Sequence, residues 1–177
     1  MNNCKMILAG FGGQGILFAG KMLVYAAMLK GKKLSWLPSY GPEMRGGTAN
    51  CHVIIDDEAI GSPIVTHPNV LIAMNQPSLD KFENEVEKDG VIFVDKSLIE
   101  RKVTRTDIKT VYVDATEIAD KMGMKKLANM VMLGAVLKET GLFDADEMAQ
   151  TIKESLPEKK QHLAGSNVSA VMAGFNI

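Results

Sequence analysis

The chain has 177 residues, 46% of them hydrophobic and 23% charged, with a formal net charge of -1. That length buries one substantial core and leaves too little for two ordinary domains, so one domain over residues 1–177 is expected. The near-neutral balance excludes long-range electrostatic recruitment to nucleic acid or to an anionic membrane, and partners must be met through shape and local chemistry.

At the N-terminus, "MNNCKMILAGFGGQG" carries the apolar run Met6 to Ala9 into glycines. The run is too short for a signal peptide's apolar core or a bilayer span, so a soluble, cytoplasmic protein is expected. Met6 to Ala9 reads as a buried strand. From Ile16 to Lys30, the residues Ile16, Leu17, Leu23, Val24, Ala27 and Met28 fall on one helical stripe with Gly20, and Gly31 ends the helix. Further strands are predicted at Leu34 to Leu37, Cys51 to Ile55, Val70 to Ala73, Val91 to Asp95 and Val111 to Asp114. Asp114 or Thr116 suits the cap of a short helix. Ala128 to Glu139 reads as a helix, Asp144 with Glu147 forms a capping box for Ala145 to Ser155, and Pro157 suits the first turn of a last helix. Strands alternating with helices imply an α/β fold, a Rossmann-like three-layer domain with a mainly parallel sheet.

Gly10, Gly12 and Gly15 match G-x-G-x-x-G, with Gly13 and Gln14 completing the loop, directly after a strand and before a helix. Such a loop permits a tight turn, close packing, and approach of an anion to the helix N-terminus. A dinucleotide site also needs an acidic residue roughly twenty residues on. None precedes Glu43, and Lys32 with Lys33 suit a 2′-phosphate better than a free ribose. Two uses stay open: packing without a ligand, or NAD(P) binding by an independent Rossmann protein. Asp95 and Asp114 close their strands at the edge where α/β proteins bind ligands, although turn and cap roles are commoner for such residues.

The stretch "PSYGPEMRGGTAN" is irregular, with Pro38, Gly41, Pro42, Gly46 and Gly47 around Tyr40, Glu43 and Arg45, side chains suited to stacking, accepting and bidentate donation. "GFGGQG", then "SYGPEMRGGTANCHVII" and later "IGSP", resemble the gamma subunit of the 2-oxoacid:ferredoxin oxidoreductases, and the similarity runs over nearly the whole chain. "NMVMLGAVLKETGL" and "LPEKKQHLAGSNVSAVMAGF" are also similar to the family's helices.

The resemblance implies one part of an enzyme that converts a 2-oxo acid and coenzyme A to acyl-CoA and carbon dioxide while reducing ferredoxin. It implies alpha, beta and ferredoxin-like delta partner subunits that carry thiamine diphosphate, magnesium and iron-sulfur clusters, with ferredoxin met indirectly. This chain would pack on the thiamine diphosphate and coenzyme A site without catalytic residues of its own, and would be inactive in isolation. Tyr40, Gly41, Pro42, Glu43, Arg45, Gly46 and Gly47 would face that interface. The 2-oxoglutarate type is the expected variant, with branched-chain 2-oxo acids as the alternative. Whether the isolated chain pairs with itself is left open.

Cys4 and Cys51 stand alone, without the spacing of a zinc or iron-sulfur site, and are expected to be buried hydrophobes. His52, His67 and His162 are not spaced as metal ligands. The twelve Met residues suit adaptable core or subunit contacts, Trp36 an anchor beside the irregular loop, and Lys159 with Lys160 a solvated face.

Overall fold

A computed structural model describes residues 3–39 and 48–177 of the chain. The first strand, β1 (Cys4–Phe11), extends beyond its apolar centre because its ends still pair with β3 (Thr48–Asp56), Cys4 opposite Ile55 and Phe11 opposite Thr48. β3 also pairs antiparallel with the edge strand β2 (Lys33–Ser39). On the other side of β1 follow β4 (Val70–Ala73), β5 (Val91–Asp95) and β6 (Lys109–Val113), all parallel.

The six-stranded sheet has the order β2-β3-β1-β4-β5-β6. Because β1 and β2 are both antiparallel to β3, β3 alone runs against the other strands. The mainly parallel sheet foreseen from the sequence is therefore present. An apolar run identifies a strand without giving its direction, so the reversal of β3 was not legible.

Alternation along the strands sends Met6 and Leu8 to one face and Ile7 and Ala9 to the other. On the first face lie α1 (Ile16–Leu29), α3 (Ala115–Lys121), α4 (Ala128–Thr140), α5 (Ala145–Ser155) and α6 (Ala164–Phe175). On the second lies α2 (Gln76–Phe82), with Val65, Val86 and Ile99 from irregular segments.

α1 buries Ile16, Ala19, Leu23 and Ala27 as its periodicity requires, but Met28 is exposed and Ala26 faces inward. Gly31, at φ 69°, ends it. α4 and α6 pack backbone against backbone: a Cβ on Gly134 would collide with the Val171 carbonyl, and one on Gly174 with the Val131 carbonyl. α5 begins on its capping box, where the Glu147 N–H donates to Asp144 Oδ1 at 2.7 Å and the Asp144 N–H to Glu147 Oε2 at 3.1 Å. Pro157 precedes a 3-10 turn, Glu158–Leu163, that contains His162 and leads into α6, so the first turn expected after Pro157 is 3-10 and not α-helical.

The α2 helix has no counterpart in the sequence analysis. At seven residues it is shorter than the window over which helical periodicity shows, and its signal is local. The Asn75 side chain caps it by accepting from the Ser78 N–H at 2.9 Å, and Pro77 lies in its first turn.

Candidate functional site

β1 and β4 are neighbours, and from them the sheet continues through β3 on one side and β5 on the other. Their carboxyl ends mark the point where α/β sheets bind ligands. The glycine loop emerges there.

Gly10 lies in β1 where a Cβ would stand 2.6 Å from Gln14 Oε1 and 2.9 Å from the Ile16 side chain. Gly15 is left-handed at φ 74°, and a Cβ there would stand 2.6 Å from Asn129 Nδ2. Gly13 is also left-handed, with open space where its side chain would be. Gln14 closes the loop on itself: its Oε1 accepts from the Phe11 N–H at 2.6 Å, and its Nε2 donates to the Met74 carbonyl at 3.0 Å. One side chain thereby ties the ends of β1 and β4 together. Asn129, at the start of α4, donates to the Gly15 carbonyl at 3.0 Å and fixes the beginning of α1.

Gly10 and Gly15 thus stand where a side chain would collide, and Gly13 does not. Lys32, one of the two residues weighed for a 2′-phosphate, pairs with Asp57 at 2.6 Å, and Lys33 is exposed in β2. Asp95 is fully buried and accepts from Thr116 Oγ1 at 2.5 Å and from the Ser97 N–H at 3.2 Å. Asp114 stands at the N-cap of α3 without a side-chain capping bond and pairs with Lys96 at 2.8 Å. Both acids are spent on turns and local pairs.

Tyr40, Gly41, Pro42, Glu43, Arg45, Gly46 and Gly47 lie outside the described residues. Their flanks are described. Ser39 pairs with Asn50, and Thr48 and Ala49 pair with Phe11 and Gly10. The two sequence motifs are therefore adjoining strands of one sheet, and the base of the irregular segment sits beside the glycine loop.

Trp36, in β2, packs against α1. A Cβ on Gly20 would stand 3.0 Å from its Nε1 and 2.7 Å from Cys51 Sγ, and the Lys21 ammonium lies 5.0 Å from its ring centre. Burial pushes the Cys4 and Cys51 thiols up to about 12. Both are free and buried, as the sequence predicts. His52 accepts from the Val65 N–H through Nδ1 at 2.9 Å, and burial, aided by the charge of Lys81, lowers its pKa.

Asn75, Ser78 and Asn129 are polar residues of this edge that the sequence analysis missed. Asn75 Nδ2, Ser78 Oγ and Asn129 Oδ1 are buried and have no hydrogen-bond partner among the described residues. The signal available for Asn129 was a polar side chain inside an apolar helix. Among the described residues, no three His, Cys, Asp or Glu side chains converge as metal ligands, and no helix is long and apolar enough to cross a membrane.

Residues 5–177 match the family model described as pyruvate ferredoxin/flavodoxin oxidoreductase. The chain is 42% identical over 172 residues to ketoisovalerate oxidoreductase subunit VorA of Methanothermobacter thermautotrophicus, covering 96% of this chain and 35% of VorA. It thus spans about a third of that relative's length. It is 35% identical over 173 residues to 2-oxoglutarate synthase subunit KorC of Methanocaldococcus jannaschii, covering 96% of this chain and 91% of KorC. Among solved structures, it is similar to the gamma subunit of a keto/oxoacid ferredoxin oxidoreductase from Geobacter sulfurreducens. There the TM-score is 0.81 at 30% identity, over 98% of this chain and 96% of the other.

Proposed function

The chain belongs to the pyruvate ferredoxin/flavodoxin oxidoreductase family, and from that premise we propose that it is the gamma subunit of a multi-chain 2-oxoacid:ferredoxin oxidoreductase. The observation that carries this is the agreement with KorC along nearly the whole of both chains. In the proposed reaction a 2-oxo acid, coenzyme A and oxidised ferredoxin give acyl-CoA, carbon dioxide and reduced ferredoxin.

This chain's own residues support a site-completing part. Iron-sulfur clusters require several converging thiolates, whereas Cys4 and Cys51 are buried singly, which supports assigning the clusters to partner subunits; thiamine diphosphate and magnesium are assigned there on the family resemblance alone. The Gln14 stitch and the Asn129 bond to Gly15 make the β1–α1 turn a rigid platform beside the base of residues 40–47. Within that segment Arg45 is assigned to a phosphate of coenzyme A or to a partner carboxylate, with Glu43 orienting it. Arg45→Ala should weaken coenzyme A saturation or assembly of the complex. Unchanged KM for coenzyme A together with unchanged assembly would contradict this role.

The substrate is assigned to the 2-oxoglutarate type on the end-to-end agreement with KorC. The higher identity to VorA favours branched-chain 2-oxo acids as the second reading. The assembled complex, assayed for coenzyme A-dependent ferredoxin reduction, should turn over 2-oxoglutarate in preference to 2-oxoisovalerate. The reverse preference selects the second reading, and failure to reduce ferredoxin with any 2-oxo acid, pyruvate included, contradicts the proposed function.

A further inference from the structure

α2 packs on β1 and β4, and among the described residues no helix covers the β2–β3 part of its face of the sheet. There the alternation of β2 and β3 places Leu37 and Ser39 beside His52 and Asn50 on one surface. With Ile64 and the end of α2 they line an open cavity of about 330 Å³.

We propose that this cavity binds a small anion, a carboxylate or a phosphate carried on a short apolar body. Each of its polar side chains among the described residues can donate. Because His52 Nδ1 accepts from the Val65 N–H at 2.9 Å, the neutral ring carries its proton on Nε2 and has that group left to donate. Lys81 adds a full positive charge and has no ion-pair partner among the described residues, and its ammonium lies 5.0 Å from the Phe82 ring centre. The charge of Lys81 reaches His52, where it reinforces the effect of burial in lowering the imidazole pKa. Ser39 contributes a hydroxyl and Asn50 an amide, and among the described residues no Asp or Glu lines the cavity.

The walls set the rest of the ligand. Leu37 and Ile64 are large apolar residues left 37% and 58% exposed, which is surface that a short hydrocarbon body would cover. A second cavity of about 330 Å³, at the opposite end of β3, has the same size but is lined by Asp56 and Glu87 with Lys5 and is unsuited to an anion. The inference stands on this chain alone and does not rest on its membership of an enzyme complex.

The test is titration of the full chain at neutral pH with 2-oxoisovalerate, 2-oxoglutarate and methyl phosphate, followed by backbone amide NMR. Saturable shifts are expected at Ser39, His52 and Val65. Lys81→Met should weaken the dissociation constant by about tenfold, as loss of one charge-assisted contact does, and Lys81→Arg should restore it. His52→Asn keeps an acceptor for the Val65 N–H while deleting the Nε2 donor, and should weaken binding with the Val65 amide in place. Saturation by the oxo acids alone assigns a carboxylate site, and saturation by methyl phosphate alone a phosphate site. No saturable shift with any probe, or shifts that survive Lys81→Met undiminished, would overturn the proposal.

Discussion

The two faces of the sheet are built to different standards. On one, five helices bury Met6, Leu8, Val53 and Phe93 in a continuous apolar layer. On the other, the seven-residue α2 and irregular segments cover the centre, while the β2–β3 part holds the polar side chains Ser39 and His52. The thick face holds the fold, and the thin face keeps strand-borne side chains accessible. Recognition is most easily placed where folding demands least burial.

The largest effect should come from breaking the thick face. Gly134→Ala or Gly174→Ala drives a methyl into the opposing helix backbone, and overpacking of this kind costs about 1–3 kcal/mol or more. For a chain of this size each kcal/mol lowers Tm by roughly 2–4 °C, measurable by calorimetry. A Tm unchanged in both variants would show that α4 and α6 are not packed backbone to backbone.

On the thin face the strongest point is Glu83, a buried carboxylate with 3% exposure. It accepts from the Thr104 N–H at 2.6 Å, from Thr104 Oγ1 at 2.7 Å and from Arg101 Nη1 at 2.6 Å, and so pins residues 101–105 to the end of α2. Burial alone would raise its pKa, but the bonds from Thr104 and Arg101 outweigh it and the net shift is downward. Its stabilisation is therefore present above the ordinary carboxylate range and is lost as pH falls through it. Glu83→Gln should cost about 1–3 kcal/mol in urea denaturation at neutral pH, and less in acid. Equal cost at both pH values would contradict the assigned charge.

A smaller effect is expected at His52, whose folded pKa lies below its ordinary value of 6.5. Protonation then favours the unfolded chain, so its contribution is complete above about pH 6.5 and is lost as pH falls below it. His52→Asn should flatten that part of the stability profile. A slope unaltered by the substitution would assign it to other groups. The smallest signal should be thiol reactivity, with Cys4 and Cys51 silent toward a disulfide reagent until the chain is unfolded. Rapid labelling of the native chain would show that the thick face opens readily.

How much of this was legible follows from where the information lies. β4 and β5 match their predicted bounds because both are short apolar runs, and α5 does because its capping box is written in adjacent residues. The direction of β3 and the partner of Gly15 were not legible, since both depend on residues distant in sequence, Asn129 lying 114 positions from Gly15. The glycine loop was readable as a motif, while its filling by Gln14 was not, because only the fold places the Met74 carbonyl within reach. Asp95 and Asp114 show the same limit: their positions at strand ends were visible, and their partners Thr116 and Lys96, some twenty residues away in sequence, became visible only in three dimensions.

The central claim, that this chain completes an enzyme whose chemistry lies on other subunits, is tested most directly by isolating it in native form without oxygen. Its companions can then be identified by mass spectrometry and the visible absorption recorded. The account predicts thiamine diphosphate-binding and ferredoxin-like subunits in fixed ratio, with iron-sulfur absorption in the complex. A colourless chain without such companions, binding a nicotinamide nucleotide at the glycine loop, would contradict it.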